Sequence, residues 1–97
     1  MRKSEGQNGP GEERETRARL AGAINELLAR RRFSQTEAAR RLGVSQPKIS
    51  ALVNYRLEGF SAERLMYFLN ALGCDVEIVI RMSRSQGKTG RTYVRAA

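Results

Sequence analysis

The sequence predicts one mainly α-helical domain of four helices, followed by a short β-strand. Apolar residues recur three and four positions apart in successive segments, which is the helical period. Serine precedes three of these segments and glycine follows two of them, as expected at helix ends. After Gly73 the apolar period changes to two, which is typical of a strand. The chain of 97 residues, 40% hydrophobic, has room for a single modest core.

The first two helices are predicted over residues 13–32 and 35–42. One side of the first helix is apolar and carries Leu20, Ile24, Leu27 and Leu28. Ser34 and Glu37 form a candidate capping box, in which the hydroxyl accepts from the Glu37 amide and the carboxylate returns to the Ser34 amide. Gly43 can adopt the left-handed conformation that ends a helix, so the second helix is expected to stop there.

The third helix is predicted over residues 46–53 and the fourth over 62–72. Ser45 and Ser61 are placed to cap them, and Pro47 is tolerated in a first turn. From residue 74 to 82, apolar Cys74, Val76, Ile78, Ile80 and Met82 alternate with mainly polar positions. This alternation predicts a strand with one apolar face.

The sequence therefore divides into four segments. Residues 1–12 have no periodic apolar residue and are expected to be flexible. Residues 13–73 form the helical domain, and residues 74–82 form the strand. Residues 83–97 are a basic tail with four basic and no acidic side chains, expected to be mostly mobile.

A lone strand cannot satisfy its backbone hydrogen bonds, so residues 74–82 need a partner. Three partners are open: the same strand in a second subunit, residues 91–95 of the tail as a hairpin, or a strand of another protein. Pairing across a homodimer is favoured, because soluble oligomers are most often two-fold dimers. The hairpin could coexist with it.

Composition narrows the function classes. The formal charge is +8, which points first to a nucleic acid as partner, and Trp, which favours membrane interfaces, is absent. There is no histidine, and Cys74 is the one cysteine, so Cys/His zinc sites and disulfides are excluded and Cys74 is expected to be a core residue. The ten acidic residues form no evident constellation. We therefore expect no enzyme, no cofactor and no small-molecule substrate.

The same sequence has no apolar run long enough for a secretory signal or a membrane span, and a cytoplasmic protein is expected.

The segment 35–53 has the pattern of a helix-turn-helix unit. Two helices joined by a short turn must cross closely, so the first needs a small buried residue and the turn needs a special backbone. Ala39 and Gly43 lie where these two needs fall. Apolar side chains occupy the positions expected to be buried: Ala38, Leu42, Val44, Ile49 and Leu52. The four charged residues between Ala38 and Leu57 are all basic. This favours DNA binding over a bundle whose surface is only solvated.

The stretch 34–56 resembles the XRE family, the Cro and phage-repressor type of regulator. The runs 60–65 and 71–78 are similar to the C-terminal part of the short HigA-like antitoxins. The resemblance implies a lambda-repressor-like fold and a sequence-specific transcriptional repressor. It also implies a second partner, a RelE-like ribonuclease toxin. The competing interpretation is a plain XRE or prophage-type regulator without a toxin, and a weaker one is single-strand or RNA binding through the basic tail.

In helix-turn-helix docking, the N-terminal residues of the second helix lie at the base edges of the major groove. Base contacts are therefore expected from Gln46, Pro47, Lys48, Ser50 and Ala51. Phosphate contacts are expected from Gln35, Ser45, Asn54, Tyr55 and Arg56, with the role of Gln35 implied by the family resemblance. Gln46 could pair with adenine, and Lys48 with guanine or a phosphate. The expected partner is a palindromic operator in double-stranded DNA, bound by a homodimer whose strands contact through Val76, Ile78 and Ile80.

Overall fold

The computed structural model describes residues 10–82 and 89–96, and this part of the chain contains four helices. Their bounds are α1 Pro10–Arg30, α2 Gln35–Leu42, α3 Gln46–Val53 and α4 Ala62–Ala71. The expected four-helix architecture is confirmed. The flexible segment proposed for residues 1–12 lies outside the described residues except at positions 10–12, which are helical.

The helix α1 begins three residues earlier than the apolar pattern predicts. Pro10 at the first helical position has a fixed φ suited to a helix, and its missing amide hydrogen is not needed there. Glu12 and Glu13 in the first turn complement the positive end of the helix dipole. These end effects make residues 10–12 helical although they add nothing to the apolar stripe.

The core lies between α1, α3 and α4, with α2 closing one side. Its most deeply buried large side chains are Ile24, Ile49, Leu52, Leu65 and Phe68. The Phe60 and Phe68 rings meet edge to face, with centroids 6.0 Å apart and planes at 73°. Each large apolar side chain removed from water stabilises the fold by roughly 1.5–3 kcal/mol. Burial of this cluster therefore fixes how the three helices cross.

The predicted serine caps are confirmed. The hydroxyls of Ser34, Ser45 and Ser61 accept from the amides of Glu37, Lys48 and Arg64 at 3.1, 3.4 and 3.0 Å. The predicted return bond from the Ser34 amide to the Glu37 carboxylate is wrong, because this carboxylate instead accepts from Arg40 and Arg41 at 2.6 and 2.7 Å. Two charged donors one turn away bind a carboxylate more strongly than a neutral amide does.

All four helices end in the same type of turn, in which an amide donates to a carbonyl five residues earlier. The terminating residue has positive φ in each case: Arg32 at 55°, Gly43 at 69°, Tyr55 at 59° and Gly73 at 89°. Glycine adopts this conformation without steric cost, whereas a side chain is strained there. The first helix thus ends at Arg30, two residues before the predicted end.

The C-terminal region differs from the prediction. No strand is present in residues 74–82 or 89–96, and no ladder joins these two ranges. A single protomer offers residues 74–82 no neighbouring strand, so the expected strand and the hairpin alternative are both without support here. Residues 91–94 instead lie against α1: the Thr92 amide donates to the Glu12 carboxylate at 2.9 Å, and Val94 packs on the core. None of the helices in the described ranges is long and apolar enough to cross a membrane.

Candidate nucleic-acid interface

The turn between α2 and α3 sets the geometry of the candidate site. Gly43 takes the left-handed conformation, and the Val44 amide donates to the Ala39 carbonyl at 3.1 Å. Ala38, Ala39 and Leu42 of α2 are buried against the apolar side of α3, where Ile49 and Leu52 are fully covered. The helix-turn-helix unit predicted for residues 35–53 is therefore present, with the other side of α3 left toward solvent.

The predicted base-contacting residues share the open side of α3. Gln46, Pro47 and Lys48 are exposed, whereas Ser50 and Ala51 are half-buried. The Gln46 side chain is held in place, because its Nε2 donates to the Thr36 Oγ1 of α2 at 2.9 Å. The amide oxygen of Gln46 and its second N–H hydrogen stay available. Thr36 was not among the predicted site residues, since its role depends on how α2 and α3 are juxtaposed.

Lys48 turns toward the connection between α3 and α4. Its Nζ lies 3.4 Å from the Gly59 carbonyl oxygen and 4.9 Å from the centre of the Phe60 ring. It thereby borders an open groove of about 450 Å³. The groove is lined by Ser45, Pro47, Lys48, Ala51, Arg56, Glu58, Gly59 and Phe60. Residues 58–60 contribute to this surface although no sequence pattern predicted them as part of the site.

The predicted phosphate contacts divide between two places. Ser45 and Arg56 line the groove beside α3. Gln35 and Tyr55 line a second cavity, of about 300 Å³, which also borders α1. The Tyr55 hydroxyl lies 3.7 Å from the position that a Cβ on Gly22 would occupy, so this ring leans toward α1. Asn54 donates to the Ser50 carbonyl at 2.9 Å at the end of α3.

The charge near α3 is more mixed than the run of basic residues suggests. Arg40 and Arg41 both bind Glu37, and the Arg41 guanidinium also lies 4.5 Å from the centre of the Phe33 ring. The hydrogen bonds from Arg41 and then Arg40 lower the pKa of Glu37 below its ordinary value. Of the four basic residues in 38–57, Lys48 and Arg56 remain to face the groove, and Glu58 lies beside them.

The predicted dimerisation residues differ in how deeply they are buried. Val76 is partly buried and packs against the core, whereas Ile78 and Ile80 are 71% and 91% exposed. Cys74, which was expected to be a core residue, is likewise partly buried and packs against the edge of the core. In the described ranges, no group of His, Cys, Asp and Glu side chains could hold a metal ion.

Comparisons with known proteins agree with this geometry. A family model described as a helix-turn-helix domain matches residues 7–81. A solved structure assigned to the XRE family of transcriptional regulators is 57% identical, with a TM-score of 0.85. The match covers 90% of this chain and 98% of that one. No curated protein matches the chain.

Proposed function

Because the chain belongs to the XRE-type helix-turn-helix family of transcriptional regulators, we propose that it is a sequence-specific DNA-binding repressor. One observation carries the proposal: Gln46, Pro47 and Lys48 at the start of α3 are exposed, while the opposite side of the helix is buried in the core. A helix supported in this way can enter a major groove without rearrangement of the fold. The excess of basic side chains supports association with a polyanion.

Base contacts are proposed for Gln46, Pro47, Lys48, Ser50 and Ala51. Gln46 is the strongest of these, because a carboxamide can donate to adenine N7 and accept from N6 at once. Its bond to Thr36 restricts the side chain to few orientations, which lowers the entropic cost of ordering it on DNA. Lys48 can leave the Gly59 carbonyl for a guanine or a phosphate, since an exposed lysine changes rotamer readily.

Phosphate contacts are proposed for Gln35, Ser45, Asn54, Tyr55 and Arg56. Ser45 and Arg56 border the groove beside α3, and Gln35 begins α2, where unpaired amides favour an anion. Tyr55 and Gln35 share the cavity next to α1, so they are proposed to contact the backbone on that side.

Dimerisation is proposed through Val76, Ile78 and Ile80. The exposure of two large apolar side chains at alternate positions, Ile78 and Ile80, on a charged protein favours burial against a second surface. Antiparallel pairing of residues 74–82 with a second copy would supply the missing ladder and present two α3 helices to a palindromic operator.

The narrower proposal is that this repressor is the antitoxin of a HigBA-like pair and also neutralises a RelE-like ribonuclease. Its support is the sequence similarity of residues 60–65 and 71–78 to such antitoxins. The alternative is a plain XRE or prophage-type regulator. Co-expression with the product of an adjacent reading frame distinguishes the antitoxin from the plain regulator. A stable complex that suppresses ribonuclease activity supports the antitoxin role. The absence of such a complex supports the plain regulator.

The DNA-binding proposal is tested by selection from a random duplex library. We expect the wild-type chain to enrich a palindrome, and Gln46→Ala to lose preference at one position in each half-site. A lost bidentate contact corresponds to about 1–3 kcal/mol of discrimination. Glu63→Gln, an exposed position on α4, is the control and should retain the full motif. Flat enrichment by the wild-type chain would contradict the proposal.

A further inference from the structure

The turn over residues 57–60, which borders the groove beside α3, accepts hydrogen bonds from Arg17 of α1. Residues 57–60 form a tight turn, in which the Phe60 amide donates to the Leu57 carbonyl at 3.0 Å. The Arg17 Nη1 of α1 donates to the Leu57 carbonyl at 3.0 Å and to the Phe60 carbonyl at 3.3 Å. One guanidinium nitrogen therefore binds both ends of the turn, at residues 40 and 43 positions further along the sequence.

The same turn meets the groove on its other side. The Gly59 carbonyl accepts from Lys48, and Glu58, Gly59 and Phe60 line the groove beside the exposed face of α3. The turn thus lies between Arg17 and Lys48. A displacement of the turn would change the width of the groove and the position of Lys48 together.

Arg17 is poorly explained as a purely stabilising residue. It is partly buried, and its Nε is covered from solvent without a hydrogen-bond partner. A buried donor without a partner destabilises a fold, and an apolar side chain could fill the same space without one. What an apolar side chain could not do is hold two carbonyls at a fixed separation.

We propose that Arg17 is a positioning residue for DNA binding: it fixes the 57–60 turn so that the groove beside α3 matches the duplex. Arg17 does this without touching DNA. The inference rests on the proposed DNA-binding function and adds a residue on α1 that the helix-turn-helix pattern does not include.

The test compares Arg17→Met and Arg17→Lys with Arg14→Gln in the full chain. Arg14 is exposed on the same helix, so Arg14→Gln removes the same charge as Arg17→Met without affecting the turn, whereas Arg17→Lys keeps the charge. Affinity is measured for the duplex enriched by the wild-type chain, at a temperature where every variant is folded. We expect both Arg17 variants to lose about tenfold in affinity, equivalent to 1.4 kcal/mol. Arg14→Gln should lose much less.

The dependence of affinity on salt separates positioning from direct contact. Loss of one phosphate contact reduces the slope of log K against log salt by about 0.9. We expect the slope in Arg17→Met to fall by less than this, because Arg17 contacts carbonyls and not phosphates, and Lys48 and Arg56 keep their charges beside the groove. A slope reduced by the full amount of about 0.9, or an affinity equal to that of Arg14→Gln, would overturn the proposal.

A measurement on the free protein keeps the two proposals separable. Backbone ¹⁵N relaxation should show residues 57–60 as ordered in the wild type and more mobile in Arg17→Met. An unchanged turn overturns the positioning role whatever the DNA result. A mobilised turn in a protein that enriches no duplex contradicts the proposed function, and leaves Arg17 as the residue that orders the turn.

Discussion

The helical body and the segment that follows it use similar side chains with opposite outcomes. In α1 to α4, large apolar residues such as Ile24 and Phe68 are buried completely. In residues 74–82, Ile78 and Ile80 are equally apolar but are largely exposed. The body satisfies its own backbone within each helix, whereas an extended segment needs a partner outside itself. The difference separates a body that one chain stabilises alone from a segment that we propose is buried against a second copy.

The largest effect on stability is expected from a substitution in the buried core of the helical body. Phe68→Ala should lower the free energy of unfolding by about 3–5 kcal/mol, because it removes a fully buried ring that packs on Phe60. Tyr67→Ala is the matched control, since its ring is the next residue on α4 and is 65% exposed. Urea denaturation measures both. Equal losses in the two variants would contradict the assignment of the core.

Substitutions of the exposed Ile78 and Ile80 should affect association of the chains and leave unfolding nearly unchanged. Ile78→Asp with Ile80→Asp should leave the unfolding of the protomer almost unchanged but weaken the dimer by at least about tenfold, or 1.4 kcal/mol. Val79→Asp, on the other face of an extended segment, should have a smaller effect. Sedimentation measures the association. A wild-type chain that is monomeric at all concentrations would refute the role of these residues.

Substitutions at the helix ends should change stability by a smaller amount, and in opposite directions at Gly43 and Arg32. Gly43→Ala places a side chain in the left-handed region and should destabilise the fold by about 1–2 kcal/mol. Arg32→Gly removes such a strain at an exposed position and should stabilise it by up to about 1 kcal/mol. Thermal unfolding measures both variants. Stabilisation by Gly43→Ala would show that the α2–α3 turn is not fixed as described.

The smallest effect on stability is expected from replacing the Glu37 carboxylate. Its pKa is lowered by Arg41 and Arg40, so its contribution to stability is complete above the ordinary carboxyl value of 4.5 and disappears as pH falls through the lower folded value. Glu37→Gln should therefore be less stable than wild type at neutral pH and equal to it in acid. Glu26→Gln, which removes an exposed carboxylate paired with Arg30, is the control. A gap between wild type and Glu37→Gln that is constant with pH would contradict the pairing.

Local signals explain why much of the body could be predicted. Each serine cap acts within three residues, and Gly43 ends α2 through its own φ, so α2 and α3 begin and end where expected. The end of α1 could not be foreseen, because Arg32 takes a conformation that its residue type disfavours.

The candidate site could be predicted only in part for a related reason. Exposure of Gln46 and Lys48 follows from helical periodicity. The Arg17 contact with residues 57–60, the Thr36 contact with Gln46 and the lean of Tyr55 toward α1 depend on how distant segments meet. The strand prediction was wrong for the single chain, because the described residues offer 74–82 no neighbouring strand with which to form a ladder.

Amide chemical shifts on titration with the enriched duplex test the central claim most directly. We predict that the largest changes in chemical shift fall in residues 45–51 and 54–60, with smaller ones at the start of α2. The exposed face of α4 around Tyr67 should change little. Changes confined to residues 74–82 and 89–96, with α3 unaffected, would contradict the assignment of α3 as the DNA-contacting helix.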